Sequence, residues 1–318
     1  MGAMTQTDQA PDNSYTATWS HSRGEVNFLT RSNGSRVRYL KAGAGPPLVL
    51  LHTVRTQLDY FQLVIPRIWD SFTVYALDLP GMGWSDITDG AGYEEPDLRG
   101  AVVEFVTALG LDGLTLAGES MGATLALSAS ADLGDRVSRV VAFNTYDYPE
   151  GIERGNRLAR LIVAGERLPL AGPVLASMES KPILRGVMRG GFADKRNLPE
   201  DFLTELRRVG RRAGYPRVAR AVFRSVNSLI AAREHYRLVQ VPVVLVYGDG
   251  DWSRPSDREG VGRLLPDAKP VVLPHTGHFS ALERPAEMAR MLLDTRPSQQ
   301  RPDTPAAPQD PIRARPYA

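Results

Sequence analysis

The sequence predicts an α/β fold, in which a mostly parallel sheet is flanked by helices and interrupted by an inserted helical cap. Three observations lead to this prediction. Short apolar runs of strand length alternate with longer amphipathic runs through the first half of the chain, and the connections are short. This alternation stops near Asp147 and resumes at Val241. Between these points apolar residues recur at helical spacing, without a convincing strand.

The first predicted elements are the two strands of a hairpin. Residues 26–29 and 37–41 alternate between apolar and polar side chains, and Asn33-Gly34 supplies the turn. Residues 48–51 form a continuous apolar run, which is typical of a strand buried on both faces. The next predicted elements are a helix at 63–69, a strand at 72–77, a helix at 96–109, a strand from Leu114, a helix ending near Gly134 and a strand at 137–143.

After the insertion the alternation of strand and helix returns. The pattern predicts a strand at 241–247, a helix at 256–265, a strand at 270–273 and a last helix that begins at Pro285. The predicted organisation is therefore a flexible leader at 1–22, an α/β core at 23–147 and 238–296, a helical cap at 148–237 and a proline-rich, disordered tail at 297–318. Within the leader, Tyr15 and Trp19 can dock on the body.

Composition excludes several classes of function. The 318 residues are 42% hydrophobic and 23% charged with a net charge of +2, and no basic-aromatic array points to nucleic acid. The absence of cysteine excludes disulfides, thiolate metal ligands and a cysteine nucleophile. We see no apolar run of signal-peptide or membrane-spanning length, so we expect a cytoplasmic protein without stable membrane insertion.

The predicted cap differs in charge from the rest of the chain. Residues 147–237 contain 18 Lys and Arg against 10 Asp and Glu, a net charge of +8, whereas the remainder has 20 against 26. This excess could attract an acidic substrate or a membrane surface. The favoured interpretation is a set of solvated helix faces, in which arginines pair locally with Glu153, Glu166, Glu205 or Glu234.

The most informative stretch is Gly118-Glu119-Ser120-Met121-Gly122, which lies between an apolar strand and an Ala- and Leu-rich helix. A strand that reverses directly into a helix crowds its own backbone, and glycine on either side of the serine avoids that clash. Ser120 is then held at the apex, where the N-terminus of the helix stabilises developing negative charge. The pattern predicts a nucleophilic serine.

A serine hydroxyl needs a base, and the base needs an acid to orient it. His278 follows the last predicted strand, so it lies at the same sheet edge as Ser120 if the sheet is parallel. It is a better candidate for the base than His21, His235 or the neighbouring His275. For the acid, the turn after the strand at 241–247 offers Asp249 and Asp251.

At this point the sequence resembles the α/β-hydrolase superfamily, in its lid-bearing esterase and lipase-like branch. The resemblance covers about residues 35–294 and depends on the order of several motifs. These are His52 after the third strand, Asp78-Leu-Pro-Gly-Met-Gly-Trp-Ser, Gly118-Glu-Ser-Met-Gly122, Gly248-x-x-Asp251-x-x-x-Pro255 and Gly277-His278-Phe. The chain order of serine, acid and histidine is that of the superfamily.

The resemblance implies Ser120 as nucleophile, His278 as general base and then acid, and Asp251 as the orienting carboxylate. It also implies an oxyanion hole made by the backbone N–H groups of Met121 and Val54. Where many relatives have His-Gly-x-Pro, this chain has His52-Thr-Val-Arg55, so the geometry of the second donor departs from the pattern.

Several further side chains are candidates for the substrate pocket. Arg55 could bind a substrate carboxylate or phosphate, or form an ordinary salt bridge with a neighbour such as Asp59. The aromatic candidates either line an apolar acyl pocket or belong to the core beneath the cap. They are Trp252, Phe279, Tyr146 and Trp84.

The sequence thus predicts a serine hydrolase that cleaves a small-molecule ester, thioester or other acyl substrate through an acyl-enzyme, without metal or organic cofactor. A serine nucleophile disfavours haloalkane dehalogenase and epoxide hydrolase activity, for which this superfamily generally uses a carboxylate. Lactonase, carbon–carbon bond hydrolase and acyltransferase activities remain open, because they share the triad. So do a non-catalytic small-molecule-binding protein and a peripheral membrane lipase.

Overall fold

The computed structural model describes Trp19 and residues 23–169, 172, 180–268 and 270–294. Over these residues eight strands form a single sheet. They are β1 (Gly24–Thr30), β2 (Arg36–Ala42), β3 (Pro47–Leu51), β4 (Thr73–Leu77), β5 (Leu114–Glu119), β6 (Val137–Phe143), β7 (Val243–Gly248) and β8 (Val271–Leu273). Their order across the sheet is β1-β2-β4-β3-β5-β6-β7-β8.

The sheet is parallel except at one end. Strand β2 pairs antiparallel with both β1 and β4, and every later pairing is parallel. The turn of the β1–β2 hairpin is closed by a hydrogen bond from Arg31 to Ser35, and Gly34 adopts a φ of 82° there. The mostly parallel sheet is confirmed, and its carboxyl edge gathers the loops that follow β3, β5, β6, β7 and β8.

Helices flank the sheet as predicted. The long helices before the insertion are α1 (Glu95–Ala108) and α2 (Met121–Leu133). Helix α1 begins with Glu95, Pro96 and Asp97, because proline is tolerated in a first turn and acidic side chains interact favourably with the dipole there. The helices after β7 are α10 (Pro255–Gly262), α11 (Ser280–Glu283) and α12 (Pro285–Asp294).

In its described residues the insertion at 148–237 consists of helices joined by turns and short irregular segments, without a strand. Its helices are α3 (Gly151–Gly155), α4 (Arg157–Arg167), α5 (Lys181–Met188), α6 (Glu200–Gly210), α7 (Tyr215–Arg224), α8 (Val226–Ala231) and α9 (Arg233–Tyr236). Buried side chains such as Val163, Phe202 and Val222 belong to the same apolar cluster as the sheet. The division of the chain into core and cap stays a prediction.

Some basic residues of the insertion form ion pairs within it. Arg167 pairs with Glu153 at 2.8 Å and Arg208 pairs with Glu205 at 2.7 Å, as the favoured interpretation expects. None of the helices in the described part of the chain is long and apolar enough to span a membrane.

The helix predicted at 63–69 is present only as a shorter 3-10 helix, not as an α-helix. The structure has two short 3-10 helices instead, at Leu58–Phe61 and Ile65–Arg67. Pro66 explains the difference, because proline lacks an N–H and clashes with the carbonyl four residues earlier in an α-helix.

The predicted leader and tail lie outside the described residues, apart from Trp19. This side chain is buried, and its indole Nε1 donates a hydrogen bond to Asp59 Oδ1 at 2.8 Å. The docking expected for Trp19 is therefore observed. Tyr15 lies outside the described residues.

A buried ion-pair network holds the loops after β3 and β4 against β2. The Arg38 guanidinium contacts Asp78 at 2.6 Å and Asp59 at 2.8 Å, and its side chain is fully buried. Burial alone would lower the pKa of Arg38, but the two carboxylates raise it above its ordinary value. Asp78 also accepts hydrogen bonds from the N–H groups of Leu58 and Trp84, both at 2.7 Å.

We predict that Arg38→Met destabilises the protein by about 3–5 kcal/mol, because two buried carboxylates lose their counter-charge. Urea unfolding followed by tryptophan fluorescence measures this change. Arg23→Met is the matched control, since the Arg23–Asp70 pair is largely exposed and is expected to add little. Equal unfolding midpoints for Arg38→Met and Arg23→Met would contradict the prediction.

Candidate active site

Ser120 occupies the turn between β5 and α2, with a φ of 60° and a ψ of −121°. Residues other than glycine rarely adopt this backbone conformation, so the surrounding packing must enforce it. A Cβ on Gly118 would lie 2.3 Å from the Gly122 carbonyl oxygen, and a Cβ on Gly122 would lie 2.1 Å from that of Leu51. The two glycines therefore allow the turn and the close approach of α2 to β3.

His278 connects Ser120 to Asp251. Its Nε2 lies 2.8 Å from Ser120 Oγ, and its Nδ1 lies 2.5 Å from Asp251 Oδ1. The three residues follow β5, β7 and β8, so the parallel sheet brings them together at one edge. Ser120 and the side chains of His278 and Asp251 are fully buried. The structure thus joins the three residues that the sequence predicts as a triad.

The second oxygen of Asp251 is held by Ser253. Oδ2 accepts hydrogen bonds from the Ser253 N–H at 2.9 Å and from its hydroxyl, and Arg258 Nε donates to that hydroxyl at 2.8 Å. Burial would raise the pKa of the Asp251 carboxyl, but the charge of His278 and these hydrogen bonds lower it below its usual value. Asp251 is therefore ionised at neutral pH and can orient the imidazole.

Asp249, the other acidic candidate, has a different position. Its two carboxylate oxygens accept hydrogen bonds from the N–H groups of His275 and Thr276, at 2.9 and 3.0 Å. These bonds lower the pKa of Asp249 and fix the loop that leads to His278. Asp249 and His275 thus support that loop and do not contact Ser120.

Aromatic rings enclose the imidazole of His278. Trp252 stacks on it with ring centroids 3.8 Å apart and an angle of 14° between the planes. Phe279 and Tyr146 contact the imidazole edge to face, at 5.4 and 6.3 Å. The Trp252 indole also donates to the Gly190 carbonyl of the insertion at 3.0 Å. These three predicted pocket residues are therefore neighbours of the candidate base.

Trp84 lies elsewhere. Its indole donates to Glu205 of α6 at 2.9 Å, and the guanidinium groups of Arg208 and Arg212 lie over its ring. This side chain joins the loop after β4 to the insertion. It does not line the apolar cavity, described below, that adjoins Trp252 and Phe279.

The two predicted oxyanion donors follow strands β5 and β3 at the same edge of the sheet. Met121 is the first residue of α2, and Val54 lies in the loop after β3. Within the described part of the chain neither N–H donates to a backbone carbonyl, and their role as oxyanion donors stays a prediction. His52 shapes the second loop, because its Nδ1 donates to the Thr53 carbonyl at 2.8 Å and its Nε2 accepts from Leu79 N–H at 3.0 Å.

Arg55 does not pair with Asp59, which instead contacts Arg38 and Trp19. Arg55 has a φ of 55°, and its guanidinium lies 3.7 Å from Glu166 of α4 and over the ring of Phe223. The expectation of an Asp59 partner is wrong, because the Arg55 side chain extends toward the insertion. The residues near Arg55 in sequence do not show how the insertion packs against it.

Glu119 is a site residue that the sequence analysis did not identify. Its buried carboxylate accepts hydrogen bonds from Tyr60 Oη at 2.6 Å, Asn144 Nδ2 at 3.0 Å, Ala281 N–H at 3.1 Å and both the N–H and hydroxyl of Ser280. Burial raises the pKa of Glu119, and the bonds from Ser280 and Tyr60 oppose that shift. The signal for this role in the sequence was the position of Glu119, a charged residue at the end of an apolar strand.

A small apolar cavity lies beside the aromatic residues. Its free volume is about 30 Å³, which is room for about two water molecules. Most of its lining belongs to the insertion. The lining residues are Val54, Arg55, Ile152, Leu184, Val187, Met188, Leu206, Tyr215, Phe223, Trp252 and Phe279.

A parallel sheet with this strand order, carrying a strained serine after its central strand, defines a hydrolase of the α/β class. The family model for the alpha/beta hydrolase family matches residues 48–291. The chain belongs to this family.

Named relatives differ in activity. Haloalkane dehalogenase 2 of Mycobacterium tuberculosis is 27% identical over 288 residues, covering 85% of this chain and 94% of the relative. A 2-(acetamidomethylene)succinate hydrolase of Mesorhizobium japonicum is 26% identical over 248 residues, covering 74% and 83%. The crystal structure of Cfl2 from Burkholderia cenocepacia superposes with a TM-score of 0.75 at 22% identity, covering 86% and 96%, which shows the shared fold.

We predict that Gly122→Ala disrupts the turn, because its Cβ would overlap the backbone of β3. The expected result is a lower thermal unfolding temperature together with the loss of Ser120 reactivity toward a fluorophosphonate. Gly100→Ala in α1 is the control, since no atom lies within 4 Å of its Cβ and alanine is favoured by about 0.5–1 kcal/mol in a helix interior. Wild-type reactivity in Gly122→Ala would contradict the steric argument.

Proposed function

We propose that the protein is a serine hydrolase that cleaves a carboxylic ester, or a related thioester or lactone, through an acyl-enzyme on Ser120. The observation that carries this proposal is the continuous hydrogen-bonded chain from Ser120 through His278 to Asp251. Such a chain activates a hydroxyl that is otherwise a weak nucleophile at neutral pH.

In this mechanism His278 Nε2 takes the Ser120 proton as Oγ attacks the substrate carbonyl. The oxyanion that forms accepts hydrogen bonds from the N–H groups of Met121 and Val54. His278 then protonates the leaving alcohol or thiol, and the acyl group remains on Ser120. Water, deprotonated by His278, attacks the acyl-enzyme, and His278 returns that proton to Ser120 Oγ as the acid is released. Asp251 holds the imidazole and stabilises its charged form throughout.

The identity of the nucleophile, a serine, favours ester hydrolysis over the activity named for the dehalogenase relative. A serine that displaced a halide from an alkyl carbon would form an ether, which a second attack at a carbonyl could not release. An acyl-serine ester, in contrast, hydrolyses by the same route that formed it. The residue at position 120 therefore favours acyl substrates over haloalkanes or epoxides.

We also propose that the insertion at residues 148–237 acts as a cap that admits and selects the substrate. Most residues around the cavity come from it, and the triad beneath is buried. A cavity of about 30 Å³ is too small for an ester substrate, so binding requires the insertion or its side chains to move.

Labelling with a fluorophosphonate, read by intact mass, tests the nucleophile. The wild-type protein should gain one adduct that is absent from Ser120→Ala and greatly slowed in His278→Ala. Ser138→Ala is the control, because this serine lies at the opposite end of the sheet in β6. An adduct or ester turnover unchanged in Ser120→Ala would overturn the mechanism. A wild-type protein with neither adduct nor turnover would favour the non-catalytic binding protein.

The role of Asp251 has its own prediction. Asp251→Asn should keep the fold but lower kcat about ten-thousand-fold, as the equivalent substitution does in a serine protease triad, because an amide favours the wrong imidazole tautomer. Steady-state hydrolysis of a p-nitrophenyl ester measures it. Asp249→Asn is the matched control and should lose far less, since Asp249 holds only the backbone of the loop.

A further inference from the structure

Trp252 covers one face of the His278 imidazole. The two ring centroids lie 3.8 Å apart and the planes are inclined by 14°, so the rings are stacked. Trp252 directly follows Asp251, which binds Nδ1 of the same imidazole. Its indole Nε1 donates to the Gly190 carbonyl at 3.0 Å, and Phe279 contacts the indole edge to face at 5.6 Å. The stack is therefore fixed both by the turn after β7 and by the insertion.

The buried position of His278 separates its charged form from water. An imidazolium forms when Nε2 takes the Ser120 proton, and a charge removed from water is destabilised unless nearby groups compensate it. Asp251 compensates the charge at Nδ1, whereas the faces of the ring have no hydrogen-bond donor or acceptor. An aromatic ring can stabilise the cation from that direction, because the face of a π-system is negative.

Other groups near the imidazole are titratable, unlike Trp252. Asp251 Oδ1 lies 2.5 Å from Nδ1. Burial raises the pKa of Glu119, and the charge of His278 opposes that shift. Burial also raises the pKa of Tyr146, whose ring contacts the imidazole edge to face at 6.3 Å. Because an indole does not titrate, its attraction to the imidazole changes with pH only when His278 itself gains or loses a proton.

We propose that the Trp252 indole stabilises, through a cation–π interaction, the imidazolium that His278 forms in the transition state. The proposal rests on the proposed ester hydrolysis at Ser120 and assigns Trp252 a role that it performs through His278. Of the aromatic side chains, Trp has the face that binds a cation best. When the imidazole starts neutral, the attraction arises only as the proton is transferred. It therefore raises kcat and leaves the affinity for substrate unchanged.

Fluorinated tryptophans test this proposal, because ring fluorines withdraw electron density from the indole face and change its size little. The protein is produced with tryptophan carrying no, one, two or three ring fluorines. Hydrolysis of p-nitrophenyl acetate is measured on the alkaline plateau of the pH profile, where His278 is neutral before substrate binds. We expect kcat to fall stepwise, by about three- to thirty-fold over the series, with KM unchanged.

Two controls separate this role from a structural one. The same analogues in Trp252→Phe replace only Trp19, Trp69 and Trp84, so kcat should stay constant over that series. Trp252→Leu, which has no π-system, should be slower than Trp252→Phe. The second control is acid pH, where His278 is protonated before substrate binds. The attraction then exists in both the ground state and the transition state, so the differences in kcat/KM between the analogues should disappear.

Three results would overturn the proposal: equal rates over the series at alkaline pH, a decline that persists at acid pH, or the same decline in Trp252→Phe. If the fluorophosphonate labels Ser120 but no ester is turned over, the labelling rate replaces kcat with the same expectations, because His278 also deprotonates Ser120 in that reaction.

Failure of the proposed function gives a different result. In that case Ser120→Ala would retain turnover, or the wild-type protein would show neither an adduct nor turnover, and the role of Trp252 would fall with it. Turnover that depends on Ser120 but is insensitive to fluorination would overturn the role of Trp252 alone.

Discussion

The buried carboxylate of Glu119 holds together the loops on which the candidate site depends. It lies beside Ser120 in the chain, yet its hydrogen-bond donors come from the loops after β3, β6 and β8. A carboxylate accepts several hydrogen bonds at once, so one side chain can fix three backbone segments. Ser280 is two residues beyond His278, so the same contacts position the base relative to the nucleophile.

The sheet makes this arrangement possible and also made it predictable. Ser120, Asp251 and His278 are far apart in sequence, but each lies in the segment that follows a parallel strand, and all such segments share one edge. The strand patterns indicated that Ser120 and His278 lie at this edge and left Asp249 and Asp251 as candidates for the acid, and the resemblance to the superfamily favoured Asp251. The helix expected at 63–69 is a shorter 3-10 helix, because Pro66 disfavours an α-helix despite the apolar spacing around it.

Side-chain contacts between segments that are distant in sequence could not be predicted in this way. The pairing of Arg55 with Glu166, the stacking of Trp252 on His278 and the convergence on Glu119 depend on how helices and loops pack in three dimensions. Hydrophobic spacing identifies the buried face of a helix, but not the element against which that face packs. The fold and the meeting of Ser120, Asp251 and His278 were therefore predictable, whereas these long-range side-chain contacts were not.

The same contacts restrict how the site can open. Gly191 of the insertion accepts the His278 N–H at 2.6 Å, and Glu283 binds the N–H groups of Ala193, Asp194 and Gly277. An opening motion that lifted this segment from the sheet would also release the loop that carries His278. Displacement of α4 or α7 would instead separate Glu166 or Phe223 from Arg55 and leave the triad in place. Displacement of α7 would also break the hydrogen bond from Tyr215 Oη to the Arg55 carbonyl, so the loop that carries Val54 would lose a support.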